Sequence, residues 1–117
     1  MQGSISVELS GNIVIARVRG EPTAELIKQC QERVLTLLKD TKLRKVLYDG
    51  LEMEPPPVEV TLTQQRLSEE FHALGVRLSI VVPNSRIAYQ ARLAFGQGDH
   101  RVFYNDLPAA ISWLTES

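Results

Sequence analysis

The stretch VLYDGLEMEPPPVEVT, residues 46–61, starts as a buried strand and ends in a pattern with two readings. Val46, Leu47 and Tyr48 run apolar into Asp49 and Gly50, an ordinary strand ending. Farther on, Val58, Val60 and Leu62 alternate with polar residues, which by period alone is another strand. Two facts oppose that reading. Proline cannot donate to a ladder and stands immediately upstream, and a helical stripe has begun by Gln64. Pro55 and Pro56 each push the preceding residue out of the helical region, so residues 54–60 are predicted to be an extended, polyproline-like connection. A helix then starts near Thr61, whose hydroxyl caps it.

Working outward, the rest of the chain falls into the same alternation. Ile5, Val7 and Leu9 share one face of a first strand, and SGN at 10–12 turns it into IVIARV, apolar on both faces for most of its length. Pro22 suits a first helical position. Behind it Leu26, Ile27, Cys30, Val34, Leu37 and Leu38 form a stripe at spacings of three and four, with Lys28, Gln31, Glu32 and Lys39 largely opposite. Gln64, Leu67, Phe71 and Leu74 mark a second helix ended by Gly75. RLSIVV is a strand closed by Pro83, and Ser85 is placed to cap the helix bearing Ile87, Ala91, Ala94 and Phe95. RVFYN is a fifth strand. Asp106 caps a last helix with Leu107, Ala110, Ile111 and Leu114 facing inward.

The expected order is β-β-α-β-α-β-α-β-α. This is an α/β fold in which one mixed, mostly parallel five-stranded sheet carries packed helices and the first strand is added antiparallel. At 117 residues the chain reads as a single domain over 1–117. Its apolar fraction of 44% and charged fraction of 23% suit a packed globule and oppose disorder. Thirteen basic against fourteen acidic residues leave a net charge of -1, so no field or basic cluster favours nucleic acid. No apolar run is long enough to insert in a membrane, and MQGSISVELSG reads as a strand start, not a signal peptide. One cysteine, Cys30, excludes an internal disulfide and fits a cytoplasmic protein.

Loops at the carboxyl ends of parallel strands are where ligands gather, usually at a switch in strand order. RGEP, DGLEMEPPP, PNSR and YND converge there and bring Asp49, Glu52, Glu54, Thr61, Asn84, Ser85, Arg86, Asn105 and Asp106 to one polar rim.

VLYDGLEMEPPP, RLSIVVP and RVFYNDLPAAISWL, taken together, resemble the small stand-alone SpoIIAA-like proteins of the STAS (anti-sigma-factor antagonist) superfamily. The shared features are a strand ending in Asp, a Gly- and Pro-bearing loop into an amphipathic helix, a strand ending in Val-Pro, and a late VF strand leading to a helix ending in WL. The resemblance spans nearly the whole chain and implies a regulatory or protein-interaction role without catalysis. Such antagonists carry a phosphorylatable serine in a D-S-S-G-like stretch after the third strand. Here that stretch is DGLEMEPPPVEVT, which holds no serine, so Asp49 matches the strand-ending aspartate and nothing matches the phosphoacceptor. Relatives of this kind have also been likened to lipid-binding folds.

The residues favour recognition over reaction. Asp49 with Glu52 and Glu54 has the composition of a general acid–base set, but Asp and Gly are ordinary turn formers and exposed glutamates are ordinarily solvated. His72 and His100 lack metal-ligand spacing. Ser85, His100 and Asp106 could compose a triad, yet no G-x-S-x-G elbow presents the serine. GQG at 96–98 ends a helix instead of opening one, so it is a terminator and not a phosphate cradle. Cys30 is a core filler. Thr61 and Thr63 are the only hydroxyls near the family's switch position, and a phosphate on Thr61 would meet a helix N-terminus. Arg86, Tyr89 and Arg92 are exposed candidates for anion or carboxylate binding.

The expectation is therefore a non-enzymatic STAS-like interaction domain with no cofactor and no metal. Its partner is a protein, its contact rim is Asp49, Glu52, Glu54, Val58, Val60, Thr61, Ser85 and Arg86, and a homodimer is compatible. The alternative is a small-molecule or lipid carrier with an apolar pocket between helices and sheet, and a weak hydrolase ranks last.

Overall fold

The computed structural model describes residues 2–96 and 98–116. In chain order the elements are β1 (Ser4–Ser10), β2 (Ile13–Gly20), α1 (Ala24–Thr41), β3 (Lys45–Met53), α2 (Val58–Leu74), β4 (Arg77–Val82), α3 (Ser85–Phe95), β5 (His100–Tyr104) and α4 (Leu107–Thr115). The strands form one sheet in the order β1-β2-β3-β4-β5, with β1 antiparallel to β2 and every other pair parallel. Gly11, at φ 62°, supplies the left-handed residue of the β1–β2 turn.

Because the strand order advances in one direction, right-handed crossovers put α1, α2 and α3 on one face. The main core lies there, where Val14, Ala16, Val46, Tyr48, Leu78, Ile80 and Val82 of the strands meet Val34, Leu38, Phe71, Ile87 and Phe95. Among the described residues α4 is the helix that covers the other face, through Ala110 and Leu114 on Ile13, Leu47 and Val81. Ser79, fully buried, donates its hydroxyl to the Ala110 carbonyl at 2.8 Å and ties α4 to β4.

Several local expectations are corrected. The helix α1 begins at Ala24 with Thr23 as its cap, accepting from the Leu26 N–H at 3.1 Å, so Pro22 stands just outside it. Gln31 is not on the solvent side: it is buried and donates Nε2 to the Leu67 carbonyl at 2.9 Å, bridging α1 to α2. The cap of α3 is Asn84, which accepts from the Ile87 N–H at 3.0 Å, and Ser85 is the first helical residue. Ile111 faces outward. Gly75 and Asp106 terminate and cap as expected. Gly96 ends α3, while Gln97, the centre of the GQG stretch, lies outside the described residues.

Asn84 carries a testable consequence. Asn84→Ala removes the acceptor for the Ile87 N–H and should cost about 1 kcal/mol in urea unfolding. Ser85→Ala should leave the midpoint unchanged.

Candidate functional site

The carboxyl ends of β2 to β5 do converge on one edge, but the strand order never reverses there. The crevice of a doubly wound sheet is absent, and three helices lie abreast instead. What distinguishes this edge is the end of β3. The β2–β3 register pairs Arg17 with Asp49 and Arg19 with Glu52, so β3 spends one more residue than β2 over that step. This bulge re-aims Glu52, which strict alternation would have turned away from Asp49. Both carboxylates therefore meet arginines of β2.

Arg17 Nε donates to Asp49 Oδ2 at 3.0 Å, and Asp49 Oδ1 accepts the Leu51 N–H at 3.1 Å. Asp49 is buried, and both its oxygens are engaged. Arg19 Nε donates to Glu52 Oε2 at 2.8 Å on the exposed surface. Glu52 is thus an ion-paired side chain, not simply a solvated one. Glu54, also exposed, donates its backbone N–H to the Gly20 carbonyl at 2.8 Å and holds the chain against the end of β2. Arg17 and Arg19 are the residues that sequence reasoning missed. Their signal was present, since two arginines at period-two spacing in IVIARVRG must share one face.

The proline segment is shorter than expected. Pro57 is the N-cap, at φ -65° and ψ 160°, and α2 begins at Val58, not near Thr61. Thr61 lies half-buried in the first turn and caps nothing, while Thr63 is buried. This shift decides the surface. Residues two apart share a face on a strand but lie about 200° apart on a helix. The strand-like alternation therefore splits: Val60 is 3% exposed, whereas Val58 is 73% and Leu62 is 54% exposed. The surface contact expected of Val60 falls to its two neighbours. On α3, Tyr89 and Leu93 repeat the same exposed spacing of four, beside exposed Ser85 and Arg86.

Beneath α2 and α3 lies a cavity of about 60 Å³. Its walls include Val60, Ile80, Ile87 and Phe95, with Tyr48, Gln64 and Gln90 as polar members. Nearby, burial pushes the Cys30 thiol up to about 11. Cys30 is a filled core position and not a reactive thiol.

The triad that Ser85, His100 and Asp106 could compose is not brought together. His100 pairs with Leu78 at the start of β4, whereas Ser85 follows that strand's far end, roughly 13 Å away along a strand at 3.3 Å per residue. Asp106 is spent capping α4, accepting from the Ala109 N–H at 3.0 Å. Among the described residues no three His, Cys, Asp or Glu side chains are grouped to hold a metal ion, and no helix is long and apolar enough to cross a membrane.

No family model and no curated protein matches the chain. Solved structures do. An uncharacterised protein of the DUF3478 family with a SpoIIAA-like fold, from Shewanella loihica PV-4, is 20% identical, with a TM-score of 0.68 over 96% of this chain and 93% of that one. An anti-sigma factor antagonist from Mycobacterium paratuberculosis is 12% identical, with a TM-score of 0.71 over 98% and 96%. The anti-sigma factor antagonist SpoIIAA in its unphosphorylated form is 13% identical, with a TM-score of 0.70 over 97% and 100%. The fold is SpoIIAA-like, as the sequence resemblance implied.

Proposed function

We propose that the protein is a non-catalytic regulatory domain that acts by binding another protein. Its contact surface is the ridge running from the end of β3 through Pro55–Pro57 onto the outer face of α2, with Ser85 and Arg86 alongside. One observation carries this reading: Val58 and Leu62 stand exposed one turn apart on a helix whose entry is fixed by three prolines. A preordered apolar ridge loses little entropy on binding. Asp49 and Glu52, locked to Arg17 and Arg19, set the strand end behind it. Two of the structural neighbours are anti-sigma factor antagonists, which supports a protein as the partner. A switch on serine has no acceptor between Asp49 and Thr61 in this chain, so control rests on something other than a serine there.

Val58→Glu tests the reading. An exposed helix position tolerates the change within about 0.5 kcal/mol. Affinity capture with wild type and variant should differ in at least one stoichiometric partner, and identical partner profiles would count against the proposal. A homodimer through an exposed helix or edge strand is compatible with it, and Val58→Glu would then change the sedimentation behaviour.

The second reading is a small-molecule carrier, and the cavity beneath α2 and α3 favours it. Native mass spectrometry of freshly purified protein separates the two, because a carrier retains mass beyond that of the chain.

A further inference from the structure

We infer that the partner fills the cavity beneath α2 and α3 with one aliphatic side chain and sets an acidic residue beside it, against Arg86. The inference rests on the protein-binding reading above and names the chemistry that the partner brings.

The cavity opens on the proposed contact ridge. Its deep walls, Ile80, Ile87, Ala94 and Phe95 among them, are buried, whereas Met53, Pro56, Thr61 and Gln90 are half-exposed and form the rim. Gln90 Nε2 donates to the Pro56 carbonyl at 3.1 Å, so α3 and the entry to α2 hold that rim together. Residues three and four apart share a side of a helix. Thr61 therefore brings exposed Val58 to the rim from α2, and Gln90 brings exposed Arg86 and Leu93 from α3. An apolar recess flanked by exposed apolar side chains is where an interface places its principal anchor.

The walls set the anchor's chemistry. Nearly all of the lining surface is apolar, so an anchor carrying a charge or an amide would lose water and gain nothing. The charged residue in the lining, Asp49, has both oxygens engaged, by Arg17 and by the Leu51 N–H. Size narrows the choice. A cavity that holds benzene measures about 150 Å³, so about 60 Å³ admits a branched aliphatic end and not an aromatic ring.

Charge sets the neighbour. The helix α3 carries Arg86 and Arg92 and no acidic residue, and among the described residues neither arginine forms an ion pair. On the α2 side the exposed charges nearest in sequence are Glu54 and Glu59, both acidic. A carboxylate beside the anchor is therefore drawn to the α3 side, at Arg86.

The test selects peptides from a displayed random library on the immobilised full chain, then titrates the synthetic winner into ¹⁵N-labelled protein. Winners should share a leucine, isoleucine or valine next to aspartate or glutamate, and should shift the amide signals of Gly50, Ala91 and Ala94. Ala91→Leu puts the chain's own aliphatic group into the cavity and should weaken the winner at least about tenfold. Thr61→Tyr, at the half-exposed rim, covers the mouth without entering the core and should act in the same direction. Arg86→Glu should weaken the winner about threefold, and selection repeated on that variant should exchange the acidic residue for a basic one. Winners with aromatic anchors, or winners indifferent to both Ala91→Leu and Thr61→Tyr, would overturn the inference and leave the protein-binding reading in place. An empty selection would overturn it too, while the reading beneath it is judged on Val58→Glu. A small molecule retained by wild type in native mass spectrometry and lost from Ala91→Leu would give the cavity to the carrier reading and overturn the inference as well.

Discussion

Replacing Arg17 by leucine should lower the unfolding free energy by about 2–3 kcal/mol, while Arg17→Leu combined with Asp49→Asn should recover most of that loss. Removing one partner of a buried ion pair typically costs about 3–5 kcal/mol, because the remaining charge stays out of water. Arg17 retains 30% side-chain exposure, and solvent screening of that end brings the expected value below that scale. Asparagine keeps an oxygen for the Leu51 N–H but carries no charge, so the double variant strands no buried charge, and Glu8, 3.9 Å from Arg17 in the wild type, is exposed to water. The two single changes and the double, followed by urea denaturation, form a cycle that isolates the pair. A single variant as stable as wild type would mean that Asp49 is well solvated, and the rigid strand end assumed for the contact ridge would lose its support.

The second large effect is expected at Phe71. Only Val60 and Phe71 are apolar among the residues that α2 buries; the others are Thr63, Gln64 and Ser68. This helix therefore depends on few contacts, and Phe71, 1% exposed, makes the principal one, edge-on to Tyr48 at 6.3 Å between ring centroids. Phe71→Ala should cost about 3–5 kcal/mol. Its signature should be regional as well as global. Amide exchange should accelerate in α2 before α4, because α4 packs on the opposite face through Ala110 and Leu114. Uniform acceleration across the chain would show that α2 does not open as a separate unit.

The layered architecture was legible because strands and helices each repeat one period over long runs, as in IVIARV or in the stripe from Leu26 to Leu38. Errors fall where two periods or two partners compete. Val58, Val60 and Leu62 spell a strand, but Pro57 supplies a φ that a helix entry accepts, and the segment coils. Gln31 has the chemistry of a surface residue and is buried because the Leu67 carbonyl is there to receive its amide. The Arg17–Asp49 pair depends on the β2–β3 register and the Arg19–Glu52 pair on a bulge in β3 as well, and pairing register is a property of two strands that neither displays alone.

The claim at the centre is that the outer face of α2 at Val58 and Leu62 is where a partner binds. The most direct measurement places a photo-crosslinking residue in turn at 58, at 62 and at exposed Lys39 on α1, within cells of the source organism. The account predicts one and the same protein joined at 58 and 62 and not at 39. Adducts equal at all three positions, or none at 58 and 62, would contradict it.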